Sequence, residues 1–167
     1  FTMLKAIASV EGTRLEIAGT GPAEEEMKAF VQKNGLEDRV IFKGFMAGES
    51  LKEEVRNAKC VILPSEWYEN APYTVVESMT MGKPVIAAGI GGLPEIVLDG
   101  QTGYVSKAFC PESLGDCIRK MEALDDASYK KMSDNAIRYA DEWFNADKYL
   151  EDLLKQYEAL LHAKEVK

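Results

Sequence analysis

The first two thirds of the chain alternate between short apolar runs and stretches of helical periodicity. Arg14-Leu15-Glu16-Ile17-Ala18 alternates as a half-buried strand does, and Arg39-Val40-Ile41-Phe42-Lys43, closed by Gly44, makes a second strand. Lys59 to Leu63 is a third, Pro84-Val85-Ile86-Ala87-Ala88 a fourth, and Gly103-Tyr104-Val105 a short fifth. Between them, apolar positions recur at helical spacing. Met3, Leu4, Ile7 and Ala8 precede a stop at Glu11-Gly12, and a second helix has Pro22 in its first turn and stops at Asn34-Gly35. Ser50 to Ala58, 73–81 (ended by Gly82) and Pro94 to Val97 complete the series, and from Pro111 onward the pattern predicts helices over 111–124, 126–142 and 146–164.

Strands that alternate with helices imply βαβ units and a parallel sheet covered on both faces. The strand Cys60-Val61-Ile62-Leu63 has no polar alternation, as burial on both faces requires. The expected fold is therefore α/β: a single Rossmann-like domain, with a sheet core over 1–110 and a helical C-terminal trailer over 111–167. In the trailer, Trp143, Phe144, Tyr149, Leu150, Leu153, Leu154, Tyr157 and Leu161 form an apolar stripe that is expected to pack into the core.

Composition narrows the function. Of 167 residues, 46% are hydrophobic, enough for one domain with a real core. A net charge of −8, with no basic stripe, argues against a nucleic-acid partner. Residues 1–110 carry 11 basic and 15 acidic groups and residues 111–167 carry 9 and 13, so there is no charged tail. Cys60, Cys110 and Cys117 suit neither a zinc site nor a disulfide framework, which points to a reducing compartment. No run reaches the length of a membrane span, and Phe1-Thr2-Met3-Leu4 lacks the layout of a signal peptide and reads as the middle of a helix. A fragment of something longer is expected.

Two loops are candidates for chemistry. Gly19-Thr20-Gly21-Pro22 follows a strand and opens a helix, as a phosphate loop does, but Glu24, Glu25 and Glu26 would repel a pyrophosphate and the spacing is not that of a dinucleotide fingerprint. Taken alone it reads as a glycine-assisted turn. The second runs from Ser65 to Met79 and places Glu69 before a helix and Glu77 on it, with seven residues between them. Ionised carboxylates only accept hydrogen bonds, so they suit hydroxyl donors, and the free N–H groups of a helix start suit phosphate or sugar oxygens. The plainer alternative makes Glu69 a helix cap and Glu77 half of a surface ion pair.

The order and spacing of several motifs resemble the retaining glycosyltransferases of family 4 (group 1). They are Val40-Ile41-Phe42-Lys43-Gly44-Phe45, Val61-Ile62-Leu63-Pro64-Ser65, Glu69-x7-Glu77-Ser78-Met79, Gly82-Lys83-Pro84-Val85-Ile86, Gly91-Gly92-Leu93-Pro94-Glu95 and Gly100-Gln101-Thr102-Gly103-Tyr104. The resemblance covers essentially the whole chain and implies the C-terminal, donor-binding half of a GT-B fold. By it, Glu77 holds ribose hydroxyls and Glu69 is the catalytic residue, touching the donor hexose near its reacting carbon. Asn70, Ala71, Pro72, Tyr73 and Thr74 meet sugar and pyrophosphate, and Gly44, Phe45 and Met46 lie against the nucleobase. Gly19 and Gly21 join the substrate-binding set, while Gly91 and Gly92 keep a neighbouring loop close.

Two departures stand out. Pro72 replaces a frequent glycine and offers no N–H. The Arg and Lys that clamp the pyrophosphate in the family would lie upstream of Phe1, together with the first, central strand of the sheet. Between residues 60 and 106 the only basic side chain is Lys83.

The resemblance implies retaining transfer of a hexose from a UDP- or GDP-linked donor to a glycan or lipid-linked acceptor, as in polysaccharide biosynthesis. It implies no metal and no cofactor besides that substrate, and an acceptor site on an absent N-terminal domain, towards which the last helix would cross back and leave part of its apolar stripe exposed. The isolated chain is expected to be inactive. A cytoplasmic location is expected, with peripheral association of the full-length protein at the inner face of the membrane. The competing readings are a nucleotide-sugar epimerase of the same fold and a non-catalytic α/β interaction module.

Overall fold

The computed structural model describes residues 1–165. In chain order the elements are α1 (Thr2–Ala8), β1 (Leu15–Ala18), α2 (Glu24–Lys33), β2 (Val40–Gly44), α3 (Gly48–Asn57), β3 (Val61–Leu63) and α4 (Tyr73–Thr80). There follow β4 (Val85–Ala88), α5 (Leu93–Ile96), β5 (Gly103–Ser106), α6 (Pro111–Glu122), α7 (Asp126–Trp143) and α8 (Ala146–Glu165).

Every strand pair is parallel, as helical crossovers between consecutive strands demand. Leu15 stands opposite Val40 in the β1–β2 pair, and Val85 of β4 lies between Val61 of β3 and Gly103 of β5. β4 is buried along its whole length, and its alternate side chains feed two cores. Ile86 packs with Leu4, Ile7, Leu114 and Ile118 from α1 and α6. Val85 and Ala87 pack with Val75, Met79, Leu93, Ala136 and Ala140 from α4, α5 and α7. The sheet is thus covered on both faces, the arrangement its unbroken apolar strands require.

Among the described residues there are two parallel sheets, β1-β2 and β3-β4-β5, because β1 and β3 do not pair. No strand of the described residues lies between them to carry the ladder across. They are held in one body by the first core, to which Leu15, Val40, Ile62 and Ile86 all contribute. The Thr2 hydroxyl donates to Glu66 just after β3 (2.7 Å), while the Arg39 guanidinium, just before β2, donates to the carbonyls of Val10 (2.6 Å) and Ile7 (3.3 Å). Helix α1 therefore runs from the C-terminal end of β3 to the N-terminal end of β2, and the strands of both sheets point the same way.

Helix boundaries follow their capping chemistry. Pro22 lies ahead of α2, whose N-cap is Ala23, and the triple glutamate fills the first turn, where Lys28 pairs with Glu24 (2.8 Å) and Glu25 (3.1 Å). Ser50 is inside α3 and donates back to the Ala47 carbonyl (3.0 Å) instead of starting the helix. Asp125 caps α7 by accepting from the Ser128 amide (2.7 Å).

The apolar stripe of the trailer does not pack into the core as expected. Trp143, Tyr149, Leu150, Leu154, Tyr157 and Leu161 are each at least half exposed. A stripe needs a second surface to bury it, and the described residues offer α8 none. All three cysteines are free: Cys117 is in the core, Cys60 packs against it, and Cys110 is the N-cap of α6. No helix among the described residues is long and apolar enough to cross a membrane.

Candidate functional site

The candidate residues collect at the C-terminal ends of the strands, the edge of an open α/β sheet where ligands bind. They form two groups. On the smaller sheet, the Gly19 amide donates to the Gly44 carbonyl (2.7 Å), so the turn after β1 is tied to the end of β2. Two glycine positions far apart in sequence thereby become one ledge, with Gly21, Phe45 and Met46 beside it in the chain. Phe45 is 79% exposed there, an aromatic face with no core to enter.

The second group is the loop between β3 and α4. Its backbone is fixed by the turn after β4. The Gly92 amide donates to the Glu69 carbonyl at 2.7 Å. A Cβ on Gly91 would fall 2.3 Å from the Glu69 carbonyl oxygen, and one on Gly92 would fall 2.2 Å from that of Asn70. Gly91 also has φ +59°, in the left-handed region. The neighbouring loop that these glycines were expected to hold is the Glu69-Asn70 segment itself.

The side chain of Glu69 does not cap α4. The N-cap is Pro72, and no side chain bonds to the helix start. Instead one carboxylate oxygen, Oε1, accepts from the Ser65 hydroxyl (2.9 Å) and from the Trp67 indole N–H (3.1 Å). Glu77 is exposed in the second turn of α4, where its carbonyl accepts from the Thr80 hydroxyl (2.8 Å) and the Met81 amide (3.2 Å), but its carboxylate takes part in none of the hydrogen bonds or ion pairs among the described residues. Both plain alternatives for the pair, cap and ion pair, are thus absent among the described residues.

Helix α4 starts at Tyr73, its apolar face held down by Val75 and Met79, which are fully buried. Its first amides, those of Tyr73 and Thr74, precede the internal hydrogen bonding of the helix and face the loop. Pro72 adds none. Asn70, Ala71, Tyr73 and Thr74 are all exposed, and Trp67 and Tyr68 stand 73% and 86% exposed, so neither aromatic packs beneath the loop. The roles of Ser65 and Trp67 toward Glu69 were not read from the sequence. A serine and an indole four and two positions ahead of a glutamate carry no pattern that separates them from loop filler.

The profile of "Glycosyl transferases group 1" matches residues 1–142. Alpha-D-kanosaminyltransferase of Streptomyces kanamyceticus is 34% identical over 121 residues, 72% of this chain and 31% of that protein. Among solved structures, sucrose-phosphate synthase from Thermosynechococcus elongatus superposes with a TM-score of 0.83 at 28% identity, over 97% of this chain and 42% of that one. Anabaena HepE in complex with UDP gives a TM-score of 0.85 at 23% identity, over 95% of this chain and 44% of that one. The chain therefore spans about a third of the curated relative and less than half of the two solved chains.

Proposed function

The chain belongs to the group 1 glycosyl transferases, and on that premise we propose that it is the donor-binding half of a retaining hexosyltransferase. The observation that carries this reading is the state of the glutamate pair. Glu69 and Glu77 stand at the ligand-binding edge of the sheet with carboxylate oxygens that neither cap a helix nor pair with a cation. Acceptor-only groups left open beside a helix start fit a ligand that brings both hydroxyl donors and negative charge. A nucleoside diphosphate sugar does so. HepE, a protein of the same fold, is solved with UDP and with UDP-glucose.

In this reading Glu77 accepts from the ribose hydroxyls and Glu69 from the hexose near its anomeric carbon. The amides of Tyr73 and Thr74 meet sugar and phosphate oxygens, with Asn70, Ala71 and Pro72 shaping the wall. The ledge of Gly19, Gly21, Gly44, Phe45 and Met46 receives the nucleobase. Transfer breaks the bond from C1 to the diphosphate oxygen, which leaves with the electron pair. The acceptor hydroxyl oxygen bonds to C1, and its proton passes to the departing diphosphate. Stabilising the departing diphosphate is the main catalytic task. Lys83 is the only basic side chain between residues 60 and 106, so in this reading the start of α4 supplies part of that stabilisation. The glycan or lipid-linked acceptor, and a cytoplasmic site of action at the membrane's inner face, belong to the same proposal.

Titration with UDP-, GDP- and ADP-sugars tests it. One of these is expected to bind the full-length protein, and Glu77→Ala is expected to weaken that donor about tenfold or more, the loss of hydrogen bonds to a charged group. Failure of all three to bind, or undiminished binding after Glu77→Ala, refutes the assignment.

A further inference from the structure

The hydrogen bonds to Glu69 are lopsided. Ser65 Oγ (2.9 Å) and Trp67 Nε1 (3.1 Å) both converge on Oε1, while Oε2 accepts from nothing among the described residues. The carbonyl of the same residue is held by the Gly92 amide (2.7 Å). Glu69 is thus fixed at its carbonyl and at one carboxylate oxygen, with the other oxygen left open. Trp67 reaches this bond from a position 73% exposed, so its ring is not there to fill a core. A tryptophan left in solvent with only its N–H engaged is placed for the sake of that N–H.

The geometry points to Trp67, with Ser65, as a positioning residue: it holds the Glu69 carboxylate by Oε1 and so presents Oε2 to the hydroxyls of the donor hexose. The inference rests on the donor-binding reading given above. An unheld glutamate would divide its time among several rotamers, and each contact to the sugar would then have to offset that lost freedom. Held by two donors, it meets the hexose with its orientation already chosen, the condition for a contact that strengthens as the transition state is reached.

Trp67→Phe keeps the ring and deletes the donor, and Ser65→Ala deletes the hydroxyl. The test uses the full-length protein, titrated by calorimetry with UDP-glucose and GDP-mannose and, separately, with bare UDP and GDP, alongside initial-rate kinetics with the donor that binds. Trp67→Phe is expected to weaken the nucleotide sugar or lower kcat about tenfold. The affinity for the bare nucleotide, which lacks the hexose, should stay within about twofold. In a Glu69→Ala background, which removes the acceptor, Trp67→Phe should cost little more, because the group it positions is gone. A merely structural role would weaken sugar-bearing and bare nucleotides alike, and that result overturns the inference. So does a Trp67→Phe variant that binds and turns over as wild type, or one whose effect is undiminished in the Glu69→Ala background. If no UDP-, GDP- or ADP-sugar binds wild-type protein, the donor-binding reading fails and this inference falls with it.

Discussion

Replacing Gly92 by alanine tests how the site is built. The new Cβ would stand 2.2 Å from the Asn70 carbonyl oxygen, where an ordinary contact begins at 3.4 Å. The two loops must therefore part by roughly 1 Å, since neither the turn after β4 nor the carbonyl can yield within its own covalent geometry. Parting them breaks the 2.7 Å bond from the Gly92 amide to the Glu69 carbonyl. If the turn stays in place, overpacking and the lost hydrogen bond cost together about 2–4 kcal/mol. For a domain of this size that is a fall in Tm of roughly 4–16 °C. If the exposed Glu69-Asn70 segment retreats instead, stability suffers less, but Glu69 moves by roughly 1 Å, a misplacement worth up to about a hundredfold in rate. One of the two losses is unavoidable. Thermal unfolding followed by circular dichroism, with donor titration and initial rates on the same preparation, reads both. Gly21→Ala is the stability control, because nothing lies within 4 Å of the Cβ it adds. A Gly92→Ala protein that melts within about 1 °C of wild type and keeps donor affinity and rate within about twofold would refute this account of the loop.

Two further outcomes follow from titratable groups. Burial pushes the Cys60 thiol up to about 12, and burial also raises that of Cys117. At pH 8, iodoacetamide is therefore expected to label Cys110 first, with Cys60 and Cys117 protected until denaturant is added. Peptide mapping that finds Cys60 labelled as fast as Cys110 would contradict its packing against the core. The backbone amide of Ser128 lowers the carboxyl of Asp125 below its ordinary value. A depressed carboxyl stabilises the folded state above its unfolded pKa of about 3.9 and loses that contribution as pH falls through its folded value. Asp125→Ala should therefore lower Tm at pH 7, and the gap to wild type should close below about pH 4. A gap that stays constant with pH would exclude the carboxylate as the cap of α7.

Much of the fold was legible along the chain because each element obeys local rules. Apolar runs with no polar alternation became strands, and Asn34-Gly35 and Gly82 follow helix ends where they were expected to, whereas α1 stops at Ala8, ahead of the expected stop at Glu11-Gly12. The exceptions are instructive. The helix expected to start at Ser50 starts at Gly48, and Ser50 bonds backward from inside it. The stripe from Trp143 to Leu161 has the period of a core-facing helix but lies in solvent. Periodicity shows that a face is apolar, and says nothing of what covers it.

The candidate site divides in the same way. Sequence alone determined its parts: a carboxylate before a helix, a second carboxylate on it, and glycines after two strands. Those follow from residue identity and short-range spacing. Only the tertiary structure decided their partners. It tied Gly19 to Gly44 and seated Gly91 and Gly92 against Glu69 and Asn70. It also gave Ser65 and Trp67 to one oxygen of Glu69 and left Glu77 without a cation. The physical reason is range. Helix starts and strand periods are set by neighbours a few residues apart. The freedom of a carboxylate to bind a ligand depends on every group that folding brings within about 3 Å of it.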